Sequence, residues 1–139
     1  MKRFGTFHQC FYHFVWSTKE RLPLLTADVE SRVITYIASK CNELSYKLLA
    51  VNGASDHLHI LVQLAPTILV ADVAKNLKGA SSHYINKECN LPDTLYWQDG
   101  YAVLTMRQND VPKVITYIKN QKKHHADSSL SKTLERIEP

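Results

Sequence analysis

The chain has 139 residues, 45% of them hydrophobic and 22% charged, which suits one globular unit and excludes a disordered or fibrous chain. A chain of this length buries roughly two-thirds of the surface it exposes when unfolded, so it needs no staple to fold. Lys and Arg total 17 against 13 Asp and Glu, a net +4 with His neutral, which favours an anionic partner without naming one.

Phe7 to Thr18 (FHQCFYHFVWST) is rich in aromatic and β-branched residues and reads as a strand, interrupted afterwards by Arg21-Leu22-Pro23. Thr26 is placed to cap a helix with Asp28 and Glu30 in its first turn. Val29, Val33, Ile34, Ile37, Cys41 and Leu44 then recur at helical spacing over about Ala27 to Leu44. Tyr46 to Ala54 and His57 to Leu64 read as two strands joined by a tight turn at Ser55-Asp56. A second helix follows over roughly Val70 to Lys87. Gly79 in its middle costs about 1 kcal/mol against Ala, which suggests close packing, a nearby ligand or plain tolerance. Asn90 to Thr94 is a loop, and Leu95 to Met106 is a strand, a hairpin or a bulged strand, split by Asp99-Gly100. Asn109 caps a third helix over about Asp110 to His125, with Pro112 tolerated in its first turn. Ser128 or Ser129 caps a short last helix bearing Leu130, Leu134 and Ile137.

The order β-α-β-β-α-β, then α-α, predicts an α+β fold: a ferredoxin-like sandwich with a mainly antiparallel sheet and its first two helices on one face. One domain spans 1–139, with the core sandwich at about 7–106 and C-terminal helices at about 109–138. Those last helices must pack on an edge, on the free sheet face or on another subunit. Cys10, Cys41 and Cys89 form no disulfide or metal framework and read as buried thiols in a reducing compartment. The N-terminus shows no signal-peptide pattern, and no apolar run approaches ~18 residues, so the expected location is the cytoplasm, with no membrane span.

Two patterns bear on chemistry. His57-Leu58-His59 puts two imidazoles on one face of a strand and Leu58 on the other; such a pair binds a divalent metal, or is simply two satisfied histidines. Asp56 is placed to hold an imidazole from behind. On the third helix Lys113, Tyr117, Gln121 and His125 form one polar stripe opposite Val111, Val114, Ile115 and Ile118. A phenol with a reference pKa of about 10 is only about one-thousandth phenolate at neutral pH, so a Tyr nucleophile needs help from a metal or a base. Lys119, Lys122, Lys123, His124 and His125 suit a helix C-terminus and also suit phosphate contact.

Together these residues resemble the single-tyrosine transposases of the insertion-sequence 200/605 group and their REP-associated relatives, whose His-hydrophobic-His motif is matched by His57-Leu58-His59. Tyr117-Ile118-Lys119-Asn120-Gln121 resembles the family's nucleophile helix, in which a metal-binding Gln follows the Tyr by four residues, and His124-His125 follows as is common there. Further echoes are His13 to Lys19 with Arg21-Leu22-Pro23, Leu77 to Ser82, and Trp97-Gln98-Asp99-Gly100-Tyr101. Val103 to Met106 departs from the family's smaller, hydroxyl-bearing residues. The resemblance implies that Tyr117 is the catalytic nucleophile and that His57, His59 and Gln121 hold Mg2+ or Mn2+. It implies cleavage and rejoining of single-stranded DNA at mobile-element ends through a 5′-phosphotyrosine, with imperfect hairpins as ligands. It also implies a homodimer, in which the Tyr helix of one subunit is able to complete the His pair of the other. Lys19, Arg21, Lys78 and Lys122 are the expected DNA-backbone contacts. The alternatives are a domesticated or inactive hairpin-binding protein and a replication nickase sharing the same motif.

Overall fold

Alternation along the two central strands decides the architecture. The structure, a computed structural model, describes residues 6–123. Its strands are β1 (Cys10–Ser17), β2 (Lys47–Ala54), β3 (His57–Leu64) and β4 (Ala102–Met106). They form one sheet in the order β2-β3-β1-β4, every neighbouring pair antiparallel. This is the predicted ferredoxin-like sheet.

Helix α1 (Ala27–Leu44) begins where the sequence places its cap, the Thr26 hydroxyl accepting from the Val29 N–H at 3.3 Å. The second predicted helix is interrupted: α2 (Val70–Ala74) passes through a π-helical turn, Lys75–Gly79, into α3 (Ala80–Glu88). Gly79 is not explained by close packing, because a Cβ there meets nothing within 4 Å. The 95–106 stretch is a strand only over β4; before it, Trp97 forms a single bridge to Thr18, and Gly100 turns the chain at φ 82°. The third predicted helix is α4 (Val111–Lys119), entered through a 3-10 turn at Gln108–Asp110 and broken at Asn120, with 121–123 helical again. Asp110, not Asn109, occupies its cap position and makes no side-chain cap bond, while Pro112 lies in the first turn. His124, His125 and the predicted last helix lie outside the described residues.

Strands β1, β2 and β3 each feed two cores. Phe14, Trp16, Leu58, Ile60, Val62 and Leu64 point to one face and pack with Val33, Ile37 and Cys41 of α1 and with Val73, Leu77 and Ile85 of α2, the π turn and α3. Phe11, Ala50 and Leu61 point to the opposite face, where they meet Val111, Val114 and Ile118 of α4. Helix α4 thus takes the free sheet face, one of the three placements left open by the sequence. Of the three thiols only Cys41 is buried; Cys10 and Cys89 are half-buried, contrary to expectation.

Candidate active site

The His57-Leu58-His59 alternation behaves as its spacing dictates: Leu58 enters the large core, and both imidazoles sit fully buried under α4. Their rings lie edge to face with centroids 5.1 Å apart. The hairpin that carries them requires Gly53. A Cβ at Gly53 would fall 2.1 Å from the carbonyl oxygen of His57, a backbone atom with no freedom to retreat.

Asp56 does what its position suggests, its Oδ1 lying 2.8 Å from His57 Nδ1. Its other oxygen accepts from Arg21 Nε at 3.0 Å. Burial works to raise the Asp56 carboxyl, but the hydrogen bonds from His57 and Arg21 outweigh it and hold the group below its usual range. Arg21 reaches this position through two consecutive left-handed residues, Glu20 (φ 55°) and Arg21 (φ 57°). Such conformations cost about 1–2 kcal/mol each in residues bearing a Cβ. The turn is held by Glu20 N–H donating to Gln98 Oε1 at 3.0 Å. Arg21, expected on the DNA backbone, is thereby the third member of an Arg21–Asp56–His57 chain.

His59 has a corresponding partner that sequence reasoning missed. Nε2 of His13, itself fully buried, lies 2.9 Å from His59 Nδ1. The two residues are diagonal neighbours across β1 and β3: His59 stands opposite Val15, and His13 opposite Leu61. The available signal was a lone imidazole two residues from Phe11 and Val15 on one strand face, but its target depends on a register between strands 46 residues apart in sequence.

From above, Tyr117 of α4 packs edge-on against His59, ring centroids 6.2 Å apart, in the same chain. Gln121 is fully buried one turn further on. Its segment is tied to the sheet on both sides. Asn52, the cross-strand partner of His59, donates from Nδ2 to the Lys119 carbonyl at 3.1 Å. Lys122 Nζ donates to Glu30 Oε2 (2.8 Å), Asn52 Oδ1 (3.0 Å) and the Gly53 carbonyl (2.7 Å). Lys122, expected to reach a DNA phosphate, is instead held by three protein oxygens and fixes the residues around Gln121.

The remaining two predicted contacts both lie beside Tyr96. Lys19 Nζ stands 5.8 Å from the Tyr96 ring centroid. Lys78 lines a cavity of about 450 Å³ with Lys75, Gly79, Trp97 and Tyr101; burial lowers its ammonium pKa, with Asp99 opposing. The Trp97 indole is fixed there by its hydrogen bond to Ser81 Oγ at 3.1 Å.

Among the described residues no group of three or more His, Cys, Asp or Glu side chains is arranged to hold a metal. A cation at the imidazole pair therefore needs a donor of another type, and the Gln121 amide oxygen is of that type. The pair itself fits: metal-binding imidazoles are held at their second nitrogen by a hydrogen-bond partner, as both Nδ1 atoms are here.

Comparison with known proteins bears on the fold and the family. Residues 6–121 match the family model described as transposase, IS200 like. The ISDra2 transposase TnpA of Deinococcus radiodurans is 25% identical over 122 residues, 84% of this chain and 87% of that protein. The transposase for insertion sequence element IS200 of Salmonella typhimurium is 27% identical over 124 residues, 81% of this chain and 76% of that protein. A crystal structure of a Deinococcus radiodurans protein described as a transposase superposes with a TM-score of 0.70 at 26% identity, covering 87% of this chain and 97% of that one. A REP-associated tyrosine transposase bound to a REP hairpin shares the fold, with a TM-score of 0.64 at 17% identity over 90% of this chain and 74% of that one.

Proposed function

The chain belongs to the family of IS200-like transposases, and from that membership we propose that it cleaves and rejoins single-stranded DNA at mobile-element ends, with Tyr117 as nucleophile. The observation that carries the reading is the Tyr117 ring set against His59 within one chain, above a pair of imidazoles each held from behind. His57, His59 and Gln121 would hold Mg2+ or Mn2+. Imidazoles suit first-row metals and an amide oxygen suits Mg2+ or Mn2+, so Mn2+ satisfies the whole set best. When bound, the cation supplies polarisation of the scissile phosphate and offsets charge on its oxygens.

The residues of the chain do the rest. The Tyr117 hydroxyl gives up its proton and bonds to phosphorus; the bond from phosphorus to the 3′ oxygen breaks, and that oxygen takes a proton to leave as a 3′-hydroxyl. The 3′-hydroxyl of a second end then displaces the phenol, which regains its proton, and the strands are joined. No nucleotide cofactor is needed, because the phosphodiester is kept as a phosphotyrosine. Burial of Tyr117 and both imidazoles limits competing attack by water. Lys19 and Lys78 are the side chains offered to backbone phosphates. Arg21 and Lys122 act first on the geometry of the site. The reaction belongs to the cytoplasm of a prokaryotic cell, and among the described residues no helix is long and apolar enough to cross a membrane.

The test is a covalent-adduct assay on single-stranded oligonucleotides taken from the DNA that flanks the reading frame, chosen for any short palindromes found there. With Mn2+ the unmodified chain forms a denaturation-resistant protein–DNA adduct. Tyr117→Phe forms none while still binding the oligonucleotide, and His57→Ala loses the metal-dependent part. An undiminished adduct from Tyr117→Phe overturns the assignment. Mixing His59→Ala with Tyr117→Phe restores cleavage only if α4 is exchanged within a homodimer. The hairpin-bound relative of the same fold favours a second reading, hairpin binding without cleavage. Tight hairpin binding with no adduct in any metal selects it.

A further inference from the structure

His13 has no role in the reading above, yet its imidazole is fully buried and makes a direct hydrogen bond to a residue assigned to the metal. We propose that His13 is a positioning residue that holds His59 in the one tautomer able to face a cation, an inference that rests on the metal-binding part of that reading.

A neutral imidazole has one N–H and one lone pair. The 2.9 Å contact between His13 Nε2 and His59 Nδ1 admits two proton placements. If His13 donates, the proton of His59 is on Nε2, which then has no lone pair to offer. If His59 donates from Nδ1, His13 accepts at Nε2 and carries its own proton on Nδ1, and the Nε2 of His59 is a ligand. Only the second placement makes His59 equivalent to His57, whose Nδ1 faces the Asp56 carboxylate.

The surroundings make the partner hard to replace. Both rings have zero exposure, so water cannot serve as the acceptor. They lie nearly parallel, at 25° with centroids 5.1 Å apart. The β1–β3 register that puts them on one face cannot slip by a residue without turning one of the two strands over relative to the other. Asp56 and His13 thus perform one task on two histidines, one as a carboxylate that can only accept, the other as an imidazole that accepts in one of its two tautomers.

The experiment compares His13→Phe, which keeps a ring but loses the acceptor, with His13→Gln, whose amide oxygen restores one. Mn2+ affinity of the full chain without DNA is read by electron paramagnetic resonance of the free ion. His13→Phe is expected to bind about 10–100-fold more weakly, and His13→Gln to stay close to the unmodified chain. Long-range proton–nitrogen NMR with Mg2+ present is expected to report His59 protonated at Nδ1 in the unmodified chain and in His13→Gln. Equal Mn2+ affinity for His13→Phe and the unmodified chain overturns the proposal. So does an equal loss in both variants, which would mark a packing role. If His13→Phe does not fold, an Nε2-protonated His59 in the unmodified chain with Mg2+ overturns it instead. Absence of Mn2+ binding by the unmodified chain, or binding unchanged in His57→Ala, defeats the metal reading itself and takes this inference with it.

Discussion

The two faces of the sheet are built from the same strands and do opposite work. On the α1–α3 face, Phe14, Trp16, Leu58, Ile60, Val62 and Leu64 meet a broad apolar layer. On the α4 face the intervening positions include His13, Ser17, His57 and His59 beside Val15, and the apolar cluster shrinks to Phe11, Ala50, Leu61, Val111, Val114 and Ile118. Period-two alternation lets neighbouring residues separate stability from chemistry, since a side chain serving one face cannot be felt directly on the other. The polar face has to be held by specific bonds where the other is held by area. That is why α4, only nine residues long, is tied at its far end by Asn52 and Lys122.

The largest effect that tests this division is Ile60→Ala. Removing a fully buried side chain from the broad face should lower unfolding free energy by about 2–5 kcal/mol, measured by urea titration. Adduct formation per folded molecule should persist. A selective loss of cleavage, with stability intact, would break the separation of the faces. Next comes Gly53→Ala, expected to cost about 1–3 kcal/mol because the new methyl meets the His57 carbonyl. Unlike Ile60→Ala it should also weaken Mn2+ binding, since it displaces His57; stability loss with unchanged affinity would show that the hairpin relaxes elsewhere. Lys122→Met should cost about 1 kcal/mol, the size of a net hydrogen-bond contribution at a partly exposed site. Its main consequence should be a looser Gln121, read as a weaker Mn2+ affinity that Lys122→Arg partly restores.

Much of this division was legible in the sequence, and the failures have physical causes. The Thr26 cap, the α1 periodicity, the hairpin at Ser55-Asp56 and the two imidazoles flanking Leu58 are local patterns, and each survives folding. The spacing of Tyr117 and Gln121 is local too, although a helix broken at Asn120 lies between them where a continuous one was expected. What stayed hidden depends on distant register or on acceptors brought in by folding. His13 finds His59 only through the β1–β3 pairing. The charge of Lys122 read as a DNA contact because nothing in its neighbourhood announces Glu30, Asn52 and Gly53. The π turn at Lys75–Gly79 widens a helix whose residues show ordinary periodicity.

The smallest effect at neutral pH, and the sharpest probe of the apolar face, is Cys41→Val. Cys41 is buried on α1, and that burial pushes its thiol up to about 12. In the unfolded chain the same thiol titrates near 8.5, roughly its reference value. A folded pKa above the unfolded one means that the stabilising contribution is complete below about pH 8.5 and declines as pH rises toward 12, because the unfolded chain releases a proton that the folded chain retains. Cys41→Val fills a similar space with no ionisable group. Urea unfolding from about pH 7 to about pH 10.5 should therefore give curves that run parallel on the neutral side and diverge on the alkaline side, with the variant losing less. Tyrosine ionisation is common to both chains and cancels in the difference. Parallel curves over the whole range would mean that the α1–α3 face admits a thiolate, and the contrast between an apolar face and a polar one would then be weaker than the packing suggests.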